Sequence, residues 1–398
     1  MAFESGVLSW AWLPDWASPV LERLEWKTDV LPLADGSEQR IDLRLGARRS
    51  YEFSVGVDGV ARRYLEAALW DAGAKVWALP LWHDTRHLAA PLPIGSGAVA
   101  VDTAHAEFTA GTSAVLLGED PRRSESVMVD DVTPTHVLLA GVTTMAWPAG
   151  TRIIPTRPAR LEGSHKATRF TGDANRPARF RFEFMDPWDG TPEDALPTHR
   201  GAPVLELRPE WGRGLSLDLA RELEQLDALV GKWATTDRTG LPVASQAMGW
   251  TFPDRASLSA YRRLLALQRG RLRALWVPTW TRDLELLASV STASTTMTVA
   301  WAGYALHLKG EPGRRDIRVE LRSGAVAYAR ITDAVEVSTE AEQLTLAAPL
   351  GLNATPAQVA AISFMALCRQ NADAAEISHW TGEASLASAT YRSFRNDV

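Results

Sequence analysis

The residues best able to do chemistry lie close together at His83, Asp84, Arg86 and His87. Two histidines four positions apart hold a metal ion when they share a helix face, as in His-Glu-x-x-His. Here they follow a Pro-x-Trp string, and Asp84 stands in place of the glutamate. They read as a polar loop after a strand. His105, His136, His165, His199, His307 and His379 are scattered without ligand spacing. Asp130-Asp131 and the Asp186-Pro187-Trp188-Asp189 stretch offer paired carboxylates and read as turn formers. A glycosidase pair is recognised by separation in space and leaves no spacing to find in sequence. No Gly-x-Ser-x-Gly elbow, P-loop or Gly-x-Gly-x-x-Gly string occurs. Cys368 is the only cysteine, which excludes an intrachain disulfide and a Cys-based zinc or iron–sulfur site. The expectation is a chain without catalytic residues, metal or cofactor.

The composition narrows the class. At 398 residues the chain has room for two or three domains. Apolar residues make up 46% and charged residues 23%, a globular mixture that excludes disorder. A net charge of −6 gives no bulk electrostatic attraction to nucleic acid or an anionic membrane. Met1-Ala2-Phe3-Glu4-Ser5 lacks the basic and apolar regions of a signal peptide, and no apolar run is long enough to span a bilayer. The unusual feature is tryptophan. Its 16 copies equal the 10 Phe and 6 Tyr combined, so they need a role.

Several strings occur twice, in the same order, roughly 200 residues apart. Pro14-Asp15-Trp16 returns as Pro209-Glu210-Trp211, and Pro80-Leu81-Trp82 as Pro278-Thr279-Trp280. Arg62-Arg63 returns as Arg262-Arg263, and Phe170-Thr171-Gly172-Asp173-Ala174 as Trp380-Thr381-Gly382-Glu383-Ala384. The reading is a tandem duplication with units at 1–190 and 200–398, joined by a turn-rich polar linker near 186–205.

Each unit shows one helix. Val60–Asp71 follows a capping Asp58 and stops at Gly73; the other runs from Ser257 to Gly270 behind Pro253-Asp254. The arginine pairs fall on the expected wet faces. Strands are expected at Lys75–Leu79 and Arg273–Val277, where proline marks the strand end. Further short strands are expected at 99–102, 112–117, 136–140, 297–301, 304–308 and 344–347. Arg179–Phe184 alternates cleanly. Leu215–Leu219 also alternates, then runs into Leu219, Leu223, Leu226 and Leu229 at helical spacing. The fold class is mainly β with a few helices (α+β), a duplicated β-sandwich- or barrel-containing unit with one helix per copy.

Longer strings carry a family resemblance. The first unit has Asp35-Gly36-Ser37-Glu38-Gln39-Arg40, then Arg48-Arg49-Ser50-Tyr51-Glu52-Phe53, the helix, and Leu79-Pro80-Leu81-Trp82-His83-Asp84. The second has Gly249-Trp250-Thr251-Phe252, the helix, and Trp276-Val277-Pro278-Thr279-Trp280-Thr281-Arg282-Asp283-Leu284. This pattern resembles tail-tip or baseplate structural proteins of long-tailed bacteriophages, of the distal-tail or hub class. The second unit lacks the Asp-Gly-x-Glu-Gln-Arg turn, and the spans 84–135 and 285–330 match only as generic β.

The resemblance implies a virion protein assembled in the host cytoplasm. It implies a self-associating ring that joins the tail tube to the hub and receptor-binding parts. A duplicated unit allows a trimer with pseudo-six-fold symmetry, or a hexamer. Structural or interface roles are expected for Trp10, Trp12, Trp16, Trp211, Pro80, Trp82, Pro278, Trp280 and Trp380. Trp10 and Trp12, clustered with Trp16 at the N-terminus, are expected to anchor neighbouring subunits, and the pairs Trp16/Trp211 and Trp82/Trp280 to hold matched structural positions. The alternative is a host-surface carbohydrate-binding module, with or without a hydrolase, using exposed Trp as stacking platforms.

Overall fold

The computed structural model describes residues 8–33, 36–163, 168–193, 195–221, 223–227, 229–237 and 240–395. Met1–Ser5, Asp35 of the Asp-Gly turn and His165 lie outside the described residues. The chain is mainly β, with three α-helices among the described residues.

The first half contains β1 (Val20–Glu25), β2 (Thr28–Pro32), β3 (Glu38–Asp42), β4 (Arg48–Val55), α1 (Gly59–Ala72), β5 (Val76–Pro80), β6 (Arg152–Leu161) and β7 (Ala178–Phe184). The second contains β8 (Ser216–Ala220), β9 (Leu223–Leu226), β10 (Ala234–Asp237), β11 (Val243–Phe252), α2 (Arg255–Gln268), β12 (Leu275–Pro278), the short α3 (Tyr304–His307), β13 (Val359–Gln370), β14 (Ala374–His379) and β15 (Ser385–Ser393).

One pairing order occurs in both halves. The first sheet runs β5-β6-β7-β4-β1, antiparallel throughout. The second runs β12-β13-β15-β11-β8. A parallel contact lies on the far edge of each, Leu8–Ser9 along β5 and Val204 beside Trp276 of β12. A smaller antiparallel unit is inserted after β5 and after β12. Ser113–Leu117, Ser124–Thr133, His136–Leu139 and Ala98–Ala100 pair in that order in the first, hung from β6. Asp316–Leu321, Val326–Ser338, Ala341–Leu346 and Thr296–Ala300 do the same from β13. A hairpin also follows the edge strand in both halves, β2–β3 after β1 and β9–β10 after β8.

Local pattern accounts for these elements. β7 sends Phe180, Phe182 and Phe184 inward and Arg179, Arg181 and Glu183 outward, the period-two alternation of a one-sided strand. α1 buries Leu65, Ala68, Leu69 and Ala72, and α2 buries Tyr261, Leu264, Leu265 and Gln268 at the same helical places. Matching the helices this way also aligns their N-cap residues, Asp58 and Asp254. Asp254 accepts a hydrogen bond from Ser257 N–H, whereas Asp58 makes no side-chain cap.

That register corrects several expectations. Arg62 stands where Leu258 stands, one turn away from Arg262, so the arginine pairs do not correspond. Neither Arg62 nor Arg262 lies on a wet face; both are buried. Residues 304–308 form no strand. Gly303 turns with φ 69°, and the Glu342 carboxylate accepts from Ala302, Tyr304 and Ala305 N–H, which fixes α3 and gives the second half more than one helix. Of the leucines at helical spacing, Leu219 lies in β8, Leu223 and Leu226 lie in β9, and Leu229 lies in the turn before β10. The expected linker is partly docked: Trp188 exchanges backbone hydrogen bonds with Ala47 and packs on Trp26 at 6.1 Å.

The halves share one sheet. β1 pairs with β4 on one edge and with β14, from near the C-terminus, on the other. Leu24, Trp26 and Ala47 of the first half belong to the core cluster around α2. The hairpin β2–β3 also rests on the second half. Arg369 makes a bidentate pair with Glu38, Arg40 lies 4.5 Å over the Phe394 ring, and Arg269 pairs with Asp42 at 2.8 Å.

Candidate functional site: a buried charge cluster where the halves meet

At the β1–β14 seam, alternation places Glu22 inward between Val20 and Leu24. Burying a lone carboxylate would cost several kcal/mol, so it needs partners. Arg49, on β4, lies 2.7 Å from Glu22 through Nε and 2.8 Å from Glu107 through Nη1. Arg262, on α2, donates to Glu22 and to Glu107 as well. His379, on β14, has Nε2 3.0 Å from Glu22 and Nδ1 2.8 Å from Ser385 Oγ. His83 stacks on His379 with ring centroids 4.6 Å apart. Its Nδ1 is 2.6 Å from the Tyr51 hydroxyl and its Nε2 is 3.1 Å from Arg262.

Two carboxylates thus face two guanidiniums, and charge balances inside the protein. Burial pushes the Glu22 and Glu107 carboxyls up, but the adjacent arginines outweigh it and hold both well below the usual range. Burial pushes His379 down to about 4, against the opposing pull of Glu22. His379 is therefore neutral at pH 7.

A cavity of about 620 Å³ adjoins the cluster, lined in part by Arg49, His83, Glu107, Arg157, Trp188 and Arg262. Glu22, His83 and His379 place ligand atoms within 4.8 Å of one another, as do His83, Asp84 and Glu107. A cation there would meet Arg49 and Arg262, which already occupy the positive positions around both glutamates. Both acids are held as ion-pair partners rather than free bases. What this arrangement does chemically is fasten one half to the other.

The four-residue group that opened the sequence reading is split by the structure. His83 and Asp84 are buried in a 3-10 turn (Trp82–Asp84), where Asp84 accepts from Glu107 N–H at 2.8 Å. Arg86 donates to the Asp102 and Ala104 carbonyls, and His87 is exposed. Sequence reasoning missed Glu22, Arg49, Glu107, Arg262 and His379 as a group. The available signal was an acid at an inward position of the alternating strand Val20–Glu25.

The named tryptophans divide sharply. Trp10 and Trp12 are buried in the first half's own core, ring centroids 5.2 Å apart, with Trp10 also meeting Phe53, Trp77, Phe180 and Phe182. They pack within the chain and present no face to a neighbouring subunit, which corrects the anchoring role expected of them. Trp82 and Trp280 are buried beyond the strand-ending Pro80 and Pro278, Trp280 beneath Arg208 and Arg318. Trp16, Trp211 and Trp380 are exposed. The matched pair Trp16 and Trp211 therefore holds a surface position and not a core one. Compared with known proteins, the chain matches no family model and no curated relative.

Proposed function

We propose that this protein is a structural subunit of the tail tip or baseplate of a long-tailed bacteriophage, and that it acts by assembly rather than turnover. On this reading it forms a ring in the virion that joins the tail tube to the hub and receptor-binding parts. The chain is a tandem duplication of one sheet-and-helix unit, with copies at 1–190 and 200–398. The observation that carries the reading is the single pairing order that occurs in both halves, together with their joining through the unlike strands β1 and β14. Two like units joined by unlike surfaces generate a ring when the contact recurs and the rotation closes. The phage assignment itself rests on the sequence strings around Pro80-Leu81-Trp82 and Pro278-Thr279-Trp280. Negative-stain electron microscopy of the purified protein tests it: annular particles are expected. Single compact particles that bind glycans saturably through Trp16, Trp211 or Trp380 would replace it with the carbohydrate-binding reading.

A further inference from the structure

β1 and β8 have the same place in the two pairing orders but not the same surroundings. β1 is paired on both edges. β8 is paired with β11 alone among the described residues, leaving a row of ladder groups open. Register identifies equivalent side chains. Leu24 pairs with Arg49, and Leu217 pairs with Gln246. Arg49, Tyr51, Phe53 and Val55 alternate inward along β4 as Gln246, Met248, Trp250 and Phe252 do along β11. Leu217 thus stands where Leu24 stands, and Leu219 where Trp26 stands. Leu24 and Trp26 are buried against the α2 core, whereas Leu217 and Leu219 are 46% and 52% exposed.

The hairpins repeat the contrast. β2–β3 is docked on the second half through Glu38, Arg40 and Asp42. β9–β10 and its turn present Leu223, Leu226, Leu229, Val230 and Trp233, all at least 50% exposed. These apolar side chains have no cover among the described residues.

A matching open surface exists on the first half. On α2, Ala266 lines a small cleft together with Trp26, Leu45 and Gly46 of the first half. The same helical place on α1 is Trp70, which is 94% exposed. Arg369, which grips Glu38, follows Cys368, the partner of Leu275 on β12. Its counterpart is Arg160, which follows Ala159, the partner of Trp77 on β5. Arg160 is exposed and has no carboxylate partner among the described residues.

We propose that β8 and the β9–β10 hairpin dock on the first half of a second copy of this chain, over Trp70 and Arg160. The contact matches between chains the part of the internal one in which Leu24, Trp26 and the β2–β3 hairpin rest on the second half. Donor and receiving surfaces differ, so the interface is heterologous and chains add head to tail. The inference rests on the duplication in the proposed function.

Two variants test it. Leu217→Glu with Leu219→Glu removes the donor surface, and Trp70→Glu removes the receiving one. All three side chains are exposed, so circular dichroism and the melting temperature are expected to match the parent. Each variant alone should associate at least about thirtyfold more weakly than the parent. Mixed in equal amounts, they retain one intact donor and one intact receiver, and light scattering should show a two-chain complex that grows no further. Either variant assembling like the parent would overturn this interface while leaving ring formation standing. A mixture that stays as single chains would overturn it as well. A parent that is monomeric at every concentration would overturn both this interface and the ring.

Discussion

At the residue scale, the strongest constraint is the charge cluster around Glu22. Removing one member of a buried ion pair leaves the others uncompensated and typically costs about 3–5 kcal/mol. Arg262→Met should therefore lower the unfolding free energy by roughly that amount, read from the urea midpoint at constant slope. Its pH dependence has a defined sign. His379 is depressed to about 4 when folded, so the unfolded chain takes a proton that the folded chain refuses. Stability is full above the ordinary histidine value near 6.5 and falls as pH drops toward 4, by up to about 1.4 kcal/mol per pH unit. Glu22 and Glu107 are also depressed, so their contribution is present above the ordinary carboxylate range and is lost at still lower pH. His379→Gln should flatten the upper part of the profile in a melting-temperature series from pH 7 to 4.5. An unchanged slope would contradict the assignment. The tryptophans give a second contrast. Trp10→Ala should cost about 3–5 kcal/mol, while Trp211→Ala, at the surface, should stay within about 0.5 kcal/mol in the isolated chain. None of this cluster was legible as a cluster, because Glu22, Glu107, Arg262 and His379 come from four distant stretches of chain. Only the inward acid of β1 and the proximity of His83 to Asp84 left a local trace.

At the element scale, regular patterns were readable and tertiary context decided the rest. α1, α2 and β7 carry clean periods of helix and strand, and the structure has them in place. The 304–308 stretch has the composition of a strand, but a distant carboxylate, Glu342, collects the N–H groups of a helical turn instead. The leucine run after Leu219 suits either period, because its side chains meet no core in their own chain to fix one. The Asp-Gly-x-Glu-Gln-Arg turn is absent from the second half although its hairpin is present. The polar string belongs to the docking surface of β2–β3 and not to the hairpin fold. Gly270 tests how tightly the seam is set. It has φ 64°, and a Cβ there would come within 3.0 Å of the Asp373 Cα. Asp373 in turn receives Thr28 N–H and an Arg271 guanidinium contact. Gly270→Ala should destabilise by about 1–3 kcal/mol, measured by thermal unfolding, because strain and crowding act together. A neutral result would show that α2 can shift without disturbing the β1–β14 junction.

At the scale of the whole molecule, the sixteen tryptophans serve two ends. Nine are buried and build cores, including Trp10, Trp77, Trp147 and Trp276. Six are exposed, and two of them, Trp70 and Trp233, lie on the receiving and donor surfaces of the proposed contact. The halves share proline–tryptophan strings in sequence and one pairing order in the structure. Aligned on their buried helical faces, Arg62 and Arg262 fall one turn apart, because two adjacent arginines are a weaker marker than a buried helical face. The central proposal is that the docking of β1–β3 on the second half inside the chain has a counterpart between chains. The native mass of the purified protein tests it most directly. The account predicts a closed assembly of three or six chains that falls apart when Trp70 is replaced by glutamate. A single-chain mass across all concentrations, or an assembly indifferent to Trp70, would contradict it.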